Sequence, residues 1–350
     1  MNIQIDKAAV KYNLAQIQKC VGKDVIVMPV IKANAYGMGI EEFGKIVKDS
    51  QFLGVANVKE AKRLVGISTS QKIFILYQPL ISEIPEIVKH GFTTAVCEIE
   101  FLEKLNKAAT GKINVHLSID SGLGVLGIAC EDVAWFYQKS KTLCNINIEG
   151  AFSQFAAHES LDPADIEFSN AQVASFHKAL DGIALKYKHI SCSAAIITRP
   201  SDYLDMVRVG CLMYGIYPQE FFKNHIHVKP VFKISCNVIA IKQLCPGDLI
   251  GYRHAGSFKA SRDTKVATLS CGYADGLTRS ICNGGYFIVN GQKAPVISIS
   301  MNIVNIDITD IKGDIKLGDE VFIVDNQVTN IETLADWCGV GFDELLTRLG

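Results

Sequence analysis

The stretch VIVMPVIKANAYGMG, residues 25–39, starts as an apolar, β-branched run and breaks at Lys32 into an alanine–asparagine–tyrosine–glycine turn. An apolar run of that length bounded by a turn reads as a buried strand. The lysine at its end has two readings. It is a solvated strand end, or it is an amine at a pocket mouth aimed at a carbonyl compound. The rest of the chain bears on which.

Seven further strand-like runs follow: FLGVANV, KIFILY, TTAVCE, INVHLSID, INIEGAFSQF, HISCSAA and MVRVGCLMYG. Amphipathic segments with apolar residues at helical spacing separate most of them, among them EEFGKIVKDS, VKEAKRLVG and EIEFLEKLNKAA. Eight strands in strand–helix alternation predict an α/β fold built on a closed (β/α)8 TIM-type barrel rather than an open doubly wound sheet. No GxGxxG follows the first strand, which also argues against a dinucleotide fold.

Beyond about Lys229 the helical segments stop. Short strands then follow one another: VFKISCNVIAIKQL, DLIGYR, TKVATLSCGYA, YFIVNGQKAPVISIS, NIVNIDITD and DEVFIVD. VNGQ and CPGD between them are tight-turn signals. The expected organisation is a barrel over residues 1–225, then a mainly-β C-terminal domain over 226–350 that closes with a short helical tail. The N-terminal strand is able to pack with the second domain.

The 350 residues are 49% hydrophobic and 20% charged, with a net charge of −1. That balance, with no basic run, gives no electrostatic reason to expect nucleic acid or an anionic membrane as partner. No stretch approaches the roughly 18 apolar residues of a membrane span. The N-terminus alternates like a strand and then turns amphipathic, unlike a signal peptide. Eleven cysteines are scattered without a CxxC pair, which reads as a reduced cytoplasmic protein without structural disulfides. No metal is expected: the eight histidines form no ligand cluster, and His116 and His158 read as structural.

Functional residues of such barrels sit at the C-terminal ends of strands, and phosphate often binds at the loops after the seventh and eighth. Lys32 ends the first strand and is therefore at the functional mouth. The late loops carry Ser193 in SCSAAI, and Gly210 with the amide of Cys211 in RVGCLMYG. A hydroxyl and backbone N–H groups beside a glycine suit a phosphate. A lysine facing a phosphate cradle points to pyridoxal 5'-phosphate, held as a Schiff base and acting as electron sink. Arg208 is placed to face the ring nitrogen. A guanidinium only donates, which leaves that nitrogen unprotonated and suits reversible proton exchange at an α-carbon.

VIKANAYGMG resembles the cofactor-lysine signature of the bacterial alanine racemase family, pyridoxal-phosphate enzymes with a barrel and a β domain. IDKAAVKYNL, MVRVGCLMYG, IGYRHAG, GYADG and NGQKAP extend the resemblance along nearly the whole chain. It implies that Lys32 carries the cofactor and serves as one acid/base. It implies that Tyr252 is the base on the opposite face, contributed by the other subunit of a homodimer. Tyr36, Ser193, Gly210 and Cys211 match phosphate contacts, Arg208 the ring-nitrogen partner, and Tyr273 and Met301 the substrate end. The implied activity is a two-base interconversion of L- and D-alanine for cell-wall precursor supply, on a small amino-acid substrate. The alternatives are a racemase for another amino acid such as serine, and a cofactor-binding member with weak or no catalysis.

Several positions depart from the family pattern. Ser118 stands where a lysine is common. Val125 replaces an arginine that reaches the cofactor and the substrate carboxylate, a charged hydrogen bond worth roughly 1.5–3 kcal/mol. Gln154 stands in place of a histidine stacked on the cofactor, Met38 in place of another histidine, and Ser300-Met301-Asn302 in place of Cys-Met-Asp. Relatives also continue beyond LLTRLG.

Overall fold

The computed structural model describes residues 1–67, 71–253 and 257–350. Contacts divide the chain into two compact units. One holds residues 7–35 and 39–230; the other holds 1–6, 36–38 and 231–350. Strand β1 (Asn2–Ile5) belongs to the second unit.

In the first unit, α1 (Lys7–Val21) leads into β2 (Ile26–Pro29), α2 (Lys32–Tyr36), α3 (Ile40–Ile46), β3 (Phe52–Val55), α4 (Val58–Arg63) and β4 (Lys72–Ile75). There follow α5 (Ile84–His90), β5 (Thr93–Val96), α6 (Ile99–Ala108), β6 (Ile113–Asp120), the two-residue β7 (Ile128–Ala129), α7 (Val133–Ser140) and β8 (Ile146–Phe152). The unit ends with α8 (Pro163–Ala179), β9 (Tyr187–His189), α9 (Ala195–Thr198) and β10 (Met206–Val209).

The strands pair in parallel in the order β3-β4-β5-β6-β8-β9, and β10 pairs in parallel with β2. Parallel bridges from Val30 to Gly54 and from Cys192 to Arg208 join these two sets and close the ring. The closed eight-stranded barrel expected from the sequence is therefore present. Every residue of β3, β5 and β10 is buried, as parallel strands covered on both faces require. Met28, Phe52, Phe74, Ala95, Phe152, Tyr187 and Met206 fill the interior. Local signals set the helix ends. Asp162 caps α8 ahead of Pro163, and Gly91 ends α5 in the left-handed conformation at φ 66°.

In the second unit, β11 (Phe232–Leu244), β12 (Leu249–Ile250), β13 (Phe258–Lys259), β14 (Thr264–Leu269), β15 (Tyr286–Val289), β16 (Gln292–Ile299), β17 (Val304–Asp307) and β18 (Glu320–Val324) precede α10 (Ile331–Cys338) and α11 (Phe342–Leu349). All ladders are antiparallel. They run β11-β14-β17-β16-β15-β18 and return from β18 to β11, with β1 added on β11. Asn290 (φ 49°) and Gly291 (φ 70°) make the two-residue hairpin between β15 and β16, the turn expected from VNGQ.

Candidate active site

Strand β2 stops at Pro29, two residues before its apolar run ends at Ile31. Val30 bridges to Gly54 and donates its N–H to Val209 O (2.8 Å), Ile31 N donates to Gly54 O (2.8 Å), and Lys32 starts something the sequence does not announce. Ala33, Asn34, Ala35 and Tyr36 have φ of 52°, 56°, 56° and 53°, one turn of left-handed helix without a glycine. Each such residue costs about 1–2 kcal/mol, so the surroundings must hold it.

The holding bonds are specific. Ala35 N donates to Ile31 O (3.0 Å) and Gly39 N to Asn34 O (2.9 Å). Ile40 N donates to the Asn34 side chain (3.2 Å). The buried Glu60 carboxylate accepts from Asn34 N (3.1 Å) through one oxygen and from Ala56 N (2.8 Å) through the other. Glu60 thus ties the lysine's turn to the end of β3. The signal for it was Asn57-x-x-Glu60, the spacing of a helix capping box: Asn57 caps α4 by accepting from Glu60 N.

Lys32 Nζ donates to the hydroxyl of Tyr77 at 3.1 Å and lies 5.5 Å from the centre of its ring. Tyr77 follows β4 and went unmarked in the sequence, where a lone tyrosine past a strand reads as rim.

Ser193, Gly210 and Cys211 come together after β9 and β10. Gly210 N donates to Ser193 Oγ at 2.9 Å, and Cys211 starts a short 3-10 turn to Tyr214. Burial pushes the Cys211 thiol up to about 12. Burial also opposes ionisation of Cys192, but the hydrogen bond and charge of His158 outweigh it and bring that thiol below its ordinary value.

Arg208, 5% exposed, anchors a buried polar chain. Its Nη2 donates to Ser153 O (2.7 Å), Ile190 O (3.0 Å) and the Gln154 side-chain oxygen (2.7 Å), and its Nη1 meets His189 Nδ1 at 2.8 Å. Burial lowers Arg208 to about 10, so it stays charged at neutral pH. Guanidinium has no acceptor, so His189 must accept at Nδ1 and carry its proton on Nε2. That proton faces His116 Nδ1 at 2.9 Å, which places the His116 proton on Nε2, 3.9 Å from Glu149. Lys72 pairs with the other oxygen of Glu149. Burial would raise Glu149, yet His116 and Lys72 prevail and hold it at about 2. His116 reads as structural in the sequence, and here it is a link in this chain. Gln154, a departure from the family pattern, is a direct partner of Arg208.

Acid should dismantle this chain. Burial, with the positive charge of Arg208, holds His189 well below its ordinary 6.5, and burial also lowers His116. A depressed histidine contributes stability that is complete above the unfolded value and is lost as pH falls. Unfolding stability should therefore drop below about pH 6.5 by about 1.4 kcal/mol per pH unit for His189 alone. Glu149 adds a second loss as pH falls from 4.5 toward about 2. Urea titrations at pH 7.5, 6 and 5 check this, and equal stabilities across that range would refute it.

The remaining sequence candidates lie in the β unit. Tyr252, 65% exposed, follows β12; His254, Ala255 and Gly256 of its motif lie outside the described residues. Tyr273 and Met301 are brought together: Tyr273 N donates to Ser300 O (3.1 Å) and Ala274 N to Met301 O (2.8 Å). A Cβ on Gly272 would sit 2.4 Å from Met301 O, so only glycine permits that approach. Met301 is 57% exposed. Tyr36 ends the left-handed turn and groups with the β unit.

Among the described residues, the hydrogen-bond partners of Arg208 are all neutral. A buried positive donor at a barrel mouth, a lysine on a strained turn and a hydroxyl–glycine pair fit pyridoxal 5'-phosphate, which offers a basic ring nitrogen, an aldehyde and a phosphate. Fold and site together define a parallel β/α-barrel protein with a lysine, a buried arginine and a hydroxyl–glycine pair at strand ends.

The chain belongs to the alanine racemase family. The family described as "Alanine racemase, N-terminal domain" matches residues 5–218, and "Alanine racemase, C-terminal domain" matches 231–350. Alanine racemase 1 of Clostridium acetobutylicum is 34% identical over 334 residues, covering 92% of this chain and 85% of that protein. The alanine racemase structure of Clostridium difficile 630 superposes with a TM-score of 0.93 at 29% identity, over 99% of this chain and 93% of that one. That of Bartonella henselae, described with covalently bound pyridoxal phosphate, has the same fold: TM-score 0.87 at 24% identity, over 99% and 96% of the two chains. The family's enzymes are pyridoxal-phosphate-dependent racemases.

Proposed function

We propose that this protein interconverts L- and D-alanine with pyridoxal 5'-phosphate held at the barrel mouth. The observation that carries the reading is Lys32, pinned through its left-handed turn by Glu60 at the C-terminal end of the barrel. When bound, the cofactor supplies an electron sink for negative charge at the substrate's α-carbon.

The chain's own groups do the rest. Lys32 would hold the cofactor through its aldehyde and would move the α-proton on one face through Nζ. Tyr252 moves it on the other face through its hydroxyl, reaching into the site of the partner subunit in a homodimer. Two bases are needed because a single one tends to return the proton to the face it came from. Tyr36, Ser193 and the backbone of Gly210 and Cys211 hold the phosphate. Arg208 donates to the ring nitrogen and keeps it unprotonated. Tyr273 and Met301 line the substrate end of the partner subunit's site. By this reading the enzyme works in the cytoplasm and supplies D-alanine to cell-wall precursors. No helix of the described residues is long and apolar enough to cross a membrane.

A second reading, racemisation of another small amino acid such as serine, is favoured by Val125. It is 73% exposed and stands where the family pattern has an arginine, so the site departs from the one the family uses for alanine. The deciding experiment follows α-proton exchange in deuterium oxide over a panel of L-amino acids, using cofactor-loaded protein. Exchange led by alanine is expected. Exchange led by serine would move the assignment to the second reading. No exchange with any amino acid, despite the absorption of bound cofactor, would overturn both.

A further inference from the structure

Tyr77 occupies a position from which it can act on Lys32 chemically. Its backbone is held on both sides. Leu76 N donates to Val55 O (2.8 Å), which extends the ladder of β4 on β3. The Gln78 side chain accepts from Cys97 N and Glu98 N (2.8 Å each), which ties the next residue to the end of β5. A side chain carried on so short and doubly anchored a segment is placed with the precision of the strands. Its hydroxyl stands 3.1 Å from Lys32 Nζ. Tyr77 is 45% exposed, whereas the lysine is half-buried.

Ammonium only donates, while a phenol both donates and accepts. Tyr77 therefore serves Lys32 in both protonation states: it accepts from the ammonium and donates to the neutral amine. We propose that Tyr77 is a catalytic partner of Lys32 that relays protons between its amine and solvent. A proton on Nζ passes to the phenol oxygen as the phenol's own proton leaves to a water molecule. The N–H bond breaks, a new O–H bond forms, the old O–H bond breaks, and the phenol is regenerated. The reverse sequence reloads the amine. The proposal rests on the reading of Lys32 as an acid/base.

Tyr77→Phe tests it, because it removes the hydroxyl and keeps the ring over the amine. In cofactor-free protein labelled with 15N-lysine, NMR gives the rate at which Lys32 Nζ protons exchange with water. Tyr77→Phe is expected to slow it by roughly threefold or more, while the exposed Lys107 is unchanged. In loaded enzyme, α-deuterated alanine is supplied as each enantiomer separately. The variant should return more of the label to recovered substrate for one enantiomer only, the one Lys32 deprotonates. An unchanged Lys32 exchange rate overturns the relay. Because that measurement needs neither cofactor nor turnover, it is separate from any failure of the racemase assignment.

Discussion

Lys32→Ala is expected to lose covalent cofactor attachment and to lower racemisation by roughly 10^4-fold, the upper range for removal of a positioned acid/base. The expectation follows from how the site is built. The strained turn and the Glu60 clamp fix the backbone that follows Lys32, and the Tyr77 hydroxyl meets its amine. Lys72, beside the barrel interior, begins β4 and so sits at the opposite end. There it pairs with Glu149 and lies over the rings of Phe52 and Tyr187. It is not available to take over. Borohydride reduction followed by mass measurement gives the readout: wild type should gain the mass of the reduced cofactor, and Lys32→Ala should not. A variant that still traps the cofactor would mean that another lysine holds it.

Tyr252→Phe has the second largest expected effect, a fall in racemisation of about 10^2- to 10^3-fold. The physical reason is stereochemical. Inversion needs a proton removed on one face of a planar centre and delivered on the other, and the variant retains a base on one face only. Exchange of the α-proton without inversion should therefore survive for the enantiomer that Lys32 serves and fall for the other. Separate measurements from L- and D-alanine in deuterium oxide distinguish the outcomes. Rates equal to wild type in both directions would remove Tyr252 from the mechanism.

The two residues proposed as bases stand out in the sequence because each sits in a local motif: a lysine closing an apolar run, and a tyrosine in IGYRHAG. The barrel was legible for a related reason. Buried parallel strands are short β-branched runs with amphipathic helices between them, and both patterns live within a dozen residues of sequence. The hairpin at Asn290-Gly291 was equally local, since its conformation follows from the two residues that adopt it.

Other features depend on residues far apart in the chain. The left-handed turn contradicts the preferences of Ala33, Ala35 and Tyr36, and it exists because Glu60 and the end of β3 hold it from outside. Gln154 reads as a lost histidine until its oxygen is found on Arg208, 54 positions away. The same holds for His116 and His189, 73 positions apart, whose tautomers are set by a donor that cannot accept. Tyr77 carries no motif at all. It meets Lys32 only because strands β2 and β4 deliver their ends to one mouth.

Amino-acid pattern alone thus determined the barrel, the β domain and the family, all of which rest on short-range periodicity and contiguous motifs, and it singled out Lys32 as the candidate to hold the cofactor. Closure of the barrel decided the clamp on the turn after that lysine, the hydroxyl at its amine and, in the interior, the buried proton-ordered chain behind Arg208. Packing brings those groups together across long separations, and no stretch of sequence records the distance between them.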